Sequence, residues 1–124
     1  MTVMQEQLHT LLSGATDVGT RVYPMVAESI ASPYIVYQRV ASVPETMLDG
    51  DVGVVNTRMQ IDVYVPSTTA NAYARADAIA RQVQALLAGW SLKTVLNLIQ
   101  DLYDPDVKVC RVSLDYSIWH PAGT

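Results

Sequence analysis

Apolar and polar residues alternate without a break through the middle of the chain. Val55, Thr57, Met59, Ile61, Val63 and Val65 fall on one side of an extended backbone, and Asn56, Arg58, Gln60, Asp62 and Tyr64 on the other. Successive strand side chains point to opposite faces, so the pattern predicts a strand with one face in a core. A second run behaves alike. Cys110, Val112, Leu114, Tyr116 and Ile118 face inward, opposite Arg111, Ser113, Asp115 and Ser117.

Helical spacing appears twice. From Val3 to Ser13, Met4, Leu8, Leu11 and Leu12 form one stripe, with Thr2 placed to cap the start and Gly14 to end it. After Pro66 a longer stripe runs through Ala72, Ala76, Ile79, Val83, Leu86 and Leu87 to Gly89. Ser67 or Thr68 reads as its cap, and Asp77 stands four residues before Arg81 on the wetter face. Tyr34 to Ala41 is rich in β-branched and aromatic residues and predicts a strand, as does Thr94 to Tyr103. Arg21-Val22-Tyr23 suits a shorter one. Ser42 to Gly53 reads as a loop, and Asp104-Pro105-Asp106 as a type I turn.

Strands buried on both faces of a parallel sheet would read as continuous apolar runs, and these alternate. The expected fold class is therefore α+β: a single, mostly antiparallel β-sheet with two helices packed on one face. Residues 1–124 make one domain, with no linker, repeat or low-complexity tract. The other sheet face is then polar, with Tyr and Arg among its residues, a composition that recurs where proteins meet.

Composition narrows the function classes. Half of the residues are apolar and 16% are charged, enough to build a core. The net charge is −4, and the eight Lys and Arg form no cluster. Duplex binding draws most of its affinity from phosphate neutralisation, so specific nucleic-acid recognition is disfavoured. No apolar stretch approaches the roughly 20 residues of a membrane span, and the first dozen residues do not resemble a signal peptide. Cys110 has no second cysteine to pair with, so the chain reads as a soluble product of a reducing cytoplasm.

Candidate chemistry is sparse. A nucleophilic triad needs a base within reach of a Ser, Cys or Thr. The two histidines are His9, beside the stripe of the first helix, and His120, after the last strand; both read as exposed or partly buried surface residues. Cys110 reads as a small inward hydrophobe. Asp49 with Asp51, and Asp104 with Asp106, are accounted for by turn chemistry and lack further metal ligands. No phosphate loop or dinucleotide fingerprint is present. Tyr34, Tyr37, Tyr64, Tyr116 and Trp119 lack the basic surround of a base-stacking platform and read as core and interface aromatics. No catalytic, cofactor-binding or metal residue is expected.

Three blocks in fixed order then carry a resemblance: Arg21-Val22-Tyr23-Pro24, Pro33-Tyr34-Ile35-Val36-Tyr37-Gln38 and Arg58-Met59-Gln60-Ile61-Asp62-Val63-Tyr64. An Ala-rich helix and a closing Arg111-Val112-Ser113-Leu114-Asp115-Tyr116-Ser117-Ile118-Trp119 follow them. From Leu8 to Trp119 the chain resembles the tailed-phage and prophage tail completion proteins, also called tail terminator or tail-to-head joining proteins. The resemblance implies a non-enzymatic virion protein, assembled in the host bacterial cytoplasm. It implies a homo-oligomeric ring, commonly a hexamer, which caps the tail tube and meets the tube protein and the head connector protein while DNA passes through. A head-tail connector adaptor or minor tail subunit is the alternative, and a small-ligand binder or enzyme a more distant one.

A ring needs a head-to-tail interface that closes by rotation, which a polar sheet face and free edges can supply. Arg58, Asp62, Tyr64, Arg111 and Asp115 are the candidate subunit interface, the charges setting register. The acidic segment holding Glu45, Asp49 and Asp51 is the candidate lumen loop, where negative charge would repel passing DNA.

Overall fold

The computed structural model describes residues 4–25, 33–46, 52–104 and 108–121. In order, the elements are α1 (Met4–Leu12), β1 (Val22–Pro24), β2 (Tyr34–Thr46), β3 (Val52–Pro66), α2 (Ala72–Ala88), β4 (Lys93–Asp104) and β5 (Val109–Pro121). The strands form one five-stranded sheet in the order β1-β2-β3-β5-β4. Every pairing is antiparallel except that of β1 with β2, which is parallel. The fold is the expected α+β sheet with two helices.

The two alternating runs became the central strands, β3 and β5, paired along the whole of β5 from Val54↔Pro121 to Pro66↔Val109. Their inward residues make the core. Met59, Ile61, Val63, Val65, Leu114 and Ile118 are fully buried against Ile79, Val83 and Leu87 of α2 and Met4, Leu8 and Leu12 of α1. Burial of each such side chain contributes about 1.5–3 kcal/mol. On the wet side of α2, Asp77 and Arg81 form the expected i,i+4 ion pair at 3.0 Å. Thr2 and Val3, the proposed cap and first turn of α1, lie outside the described residues. The end of α1 agrees: Gly14 has φ +78°, a left-handed conformation that glycine adopts without cost from a Cβ.

Three expectations are corrected. The loop from Ser42 to Gly53 is shorter, because β2 and β3 continue their ladder from Ala41↔Arg58 to Thr46↔Val52. Pro44 is compatible with this because, among the described residues, no strand pairs with the outer side of β2 there. Secondly, α2 is capped by Asn71 rather than Ser67 or Thr68, which belong to the preceding turn. Asn71 takes φ 54°, a left-handed geometry that Asn tolerates, and its side chain makes no capping bond. Thirdly, β5 runs on to Pro121 and carries His120 into the interior. Gly89 ends α2 as expected, at φ −93°, with its N–H bonded to the carbonyls of Ala85 and Leu87. Of the Asp104-Pro105-Asp106 turn, Asp104 ends β4 and the rest lies outside the described residues.

Candidate functional site

The helices leave one face of the sheet open, and the ladder registers put its side chains in rows. One row runs Tyr34, Tyr64, Arg111 across β2, β3 and β5. Directly opposed residues on neighbouring strands stand close enough for aromatic rings to touch. The rings of Tyr34 and Tyr64 stack at 4.9 Å, 8° from parallel, and Tyr23 of β1 meets Tyr34 edge-on at 6.4 Å. The Arg111 guanidinium lies 5.8 Å from the Tyr64 ring, and its Nη1 donates to the Tyr64 hydroxyl at 3.3 Å. Three aromatic rings and one cation thus form a continuous strip. Burial, and then the neighbouring Tyr64, hold the Tyr34 hydroxyl's pKa above its ordinary 10.

The next row is Val36, Asp62, Ser113 and Gln100. Asp62 is 4% exposed although it lies on the open face. Its Oδ2 accepts from Gln60 Nε2 at 2.9 Å, while its buried Oδ1 has no partner. A buried polar atom left unsatisfied is costly and uncommon, which marks this carboxylate as unusual.

Further along, Arg58 is paired with Asp115 on β5, Nε donating to Oδ1 and Nη2 to Oδ2. This hydrogen bonding, followed by the charge of Asp115, raises the Arg58 pKa above its ordinary value. Asn97, the bulge residue of β4, donates to Ser117 Oγ at 2.8 Å and to Asp115 Oδ1 at 3.4 Å. Lys93 sits 5.1 Å from the Trp119 ring.

The open face therefore brings together all five residues proposed for the subunit interface: Arg58, Asp62, Tyr64, Arg111 and Asp115. Arg58 and Asp115 satisfy one another, so they form a preformed polar surface rather than two free charges. Of the lumen segment, Glu45 lies near the end of β2, and Asp49 and Asp51 lie outside the described residues.

The helix-covered face holds a polar chain that the sequence reading did not foresee. His120 Nε2 lies 2.6 Å from Thr57 Oγ1, which lies 3.0 Å from Ser42 Oγ. His120 Nδ1 is 3.1 Å from the Pro121 carbonyl. A carbonyl only accepts, so Nδ1 carries a proton, and in the neutral ring Nε2 accepts from Thr57. The signal was available: the inward alternation from Cys110 to Ile118 continues by one step to His120. On α1, His9 Nδ1 lies 3.2 Å from the buried Tyr37 hydroxyl. Burial, then Glu6, raise the pKa of that hydroxyl.

A groove of about 740 Å³ opens between α1, β1 and β2, lined by Gln5, Glu6, Pro24, Met25, Tyr37, Gln38, Arg39 and Met59. Among the described residues its lining contains one carboxylate and one guanidinium but neither histidine nor cysteine. Among the described residues no group of three or more His, Cys, Asp or Glu could hold a metal ion. No described helix is long and apolar enough to cross a membrane. Cys110 is buried, as its inward position predicted.

The family model described as tail completion protein gp17 matches residues 3–121 of the 124. No curated protein matches the chain.

Proposed function

Because the chain belongs to the tail completion protein family, a family of phage tail structural proteins, we propose that it closes the finished tail tube as a ring of identical subunits. The ring, a hexamer in this reading, offers its exposed surface to the head connector, and the chain assembles in the host cytoplasm before entering the virion. The observation that carries the reading is the family match, which takes in every element of the fold from α1 to β5.

The architecture supports it. A joint needs surfaces rather than a reactive centre, and the open face supplies one in the Tyr23–Tyr34–Tyr64–Arg111 strip and the Arg58–Asp115 pair. Tyr and Arg are the residue types that most often anchor interfaces.

Light scattering coupled to gel filtration, followed by negative-stain imaging, tests the ring. Closed rings of uniform size that bind the end of purified tail tubes are the expected result. A strict monomer that leaves tube ends bare overturns the reading, and rings that bind the connector but never the tube favour a connector adaptor.

The acidic segment has a role in the same reading. Glu45, Asp49 and Asp51 face the lumen and keep passing DNA from adhering, since like charges repel at close range. Replacing all three by Lys should leave folding and ring size unchanged and reduce DNA delivery. Unchanged infectivity of phage carrying that variant sinks the idea.

A further inference from the structure

β4 is an edge strand with apolar side chains exposed on both of its faces. Val95 and Leu98 share the open face with their partners Ser117 and Asp115, and Ile99 and Tyr103 lie on the other side. Each is between 42% and 50% exposed. Edge strands are ordinarily guarded by proline, lysine or a covering element. From Thr94 to Tyr103 β4 has neither Pro, Lys nor Arg, and α2 packs chiefly on β3 and β5.

Among the described residues the opposite edge of the sheet is open too. β1 covers β2 only at Ile35, Val36 and Tyr37. Among the described residues no strand pairs with the outer edge of β2 from Gln38 to Thr46, where Val40 and Val43 are 51% and 61% exposed.

The two edges fit one another in direction. β2, β3, β5 and β4 alternate in sense along the sheet, so β4 runs opposite to β2. A second copy placed beside the first with the same face up therefore meets it as an antiparallel strand pair.

Resting on the ring reading, we propose that β4 of each subunit adds to the outer edge of β2 in the next, with Val95 opposite Val43 and Leu98 opposite Ala41. The bulges of the two strands, at Asn97 and Val40, then flank the same Ala41–Leu98 pair. Ile99 then stands opposite Arg39, and the new ladder ends at Gln100 opposite Gln38, because β1 holds β2 from Ile35 to Tyr37. Arg39 and Asp101, both exposed on the helix-covered side of the sheet, bring opposite charges to that end of the contact. The contact uses a different patch on each side of the subunit, and such a heterologous contact repeats around a ring instead of stopping at a dimer.

Single-cysteine substitution in the full chain tests the pairing and its register. Ala41→Cys and Leu98→Cys are made separately, and native Cys110 stays in place because it is buried. Directly opposed strand residues lie within disulfide reach. After mild oxidation, covalent dimers should form when the two variants are mixed and should be absent from either alone. The doubly substituted chain should give a ladder that ends at the ring size. A half-exposed site tolerates charge, so Leu98→Lys should fold with an unchanged unfolding midpoint and assemble at least tenfold more weakly. Cross-linking of Leu98→Cys with itself overturns the proposal, as that places β4 against β4. Rings in negative stain without the mixed disulfide overturn the pairing and leave the ring reading standing, whereas a strict monomer at the highest soluble concentration removes both.

Discussion

Thr57 and His120 meet across the β3–β5 ladder at 2.6 Å, with less than a tenth of either residue exposed. They are not directly opposite, since Thr57 pairs with Ile118 and His120 with Val55, so the bond is a diagonal one that ties two rungs together. Ser42 extends the tie to β2. Three strands are thus joined by side chains as well as by their backbones.

Thr57→Val keeps the shape of the side chain and removes the hydroxyl between His120 and Ser42. Leaving a buried donor or acceptor unsatisfied costs about 1–3 kcal/mol, and the urea unfolding midpoint should fall accordingly. Ser42→Ala should cost less, because Ser42 is exposed and water can replace it. An equal or larger loss for Ser42→Ala would show that the chain is not organised around Thr57.

Asp62→Asn should leave the stability of the isolated subunit unchanged or raise it. The carboxylate is enclosed, has one oxygen without a partner and accepts its one side-chain bond from a neutral amide. Removing its charge relieves desolvation while an acceptor remains for Gln60. Denaturant unfolding of the two proteins checks this, and a loss above about 1 kcal/mol would assign Asp62 a structural role within the subunit.

Gly14→Ala should destabilise by roughly 1–2 kcal/mol, the cost of placing a Cβ on a left-handed backbone. The cause is conformational alone, for an added Cβ there meets nothing within 4 Å. Thermal unfolding should show the same drop for Gly14→Ser and a smaller one for Gly14→Asn, which tolerates this region better.

Stability should fall as pH rises through and beyond 10. Burial raises the pKa values of Tyr34, Tyr37 and Tyr116 above that ordinary value, with Tyr64 adding to the shift at Tyr34 and Glu6 at Tyr37. The unfolded chain then loses these protons first, so the native state binds more of them and the slope of stability against pH is negative. The stabilising preference is fully present below pH 10 and lost above the raised folded values. Unfolding midpoints measured across this range should decline, and a Y37F/Y116F variant should decline less steeply.

The central strands and α2 were legible because each has one wet and one dry face over many residues, and burial enforces that period. What escaped had no such contrast. The outer half of β2 carries Val43-Pro44-Glu45 and, among the described residues, pairs with no strand on its far side, so its residues look like a loop while its backbone pairs with β3. Asn71 caps α2 through backbone geometry rather than through the side-chain bond that Ser67 and Thr68 advertised. The open face was foreseen as a set of residues, since alternation assigns them. Its internal pairing was not, because Arg58 and Asp115 lie 57 positions apart and meet only through the β3–β5 register. Nor does alternation distinguish Asp62, enclosed, from Gln60, two residues earlier on the same face.

Cys110 has a consequence in the time domain. It lies between Val65 of β3 and Tyr103 of β4, is the sole thiol of the chain, and is shielded in the native state. A buried thiol reacts only through openings that expose it, so its labelling rate measures how often they occur. A subunit held by a neighbour along β4 would open there less often than a free one. The rate at which Cys110 takes up a thiol reagent is thus a clock on the loosest edge of the sheet, and assembly should slow it.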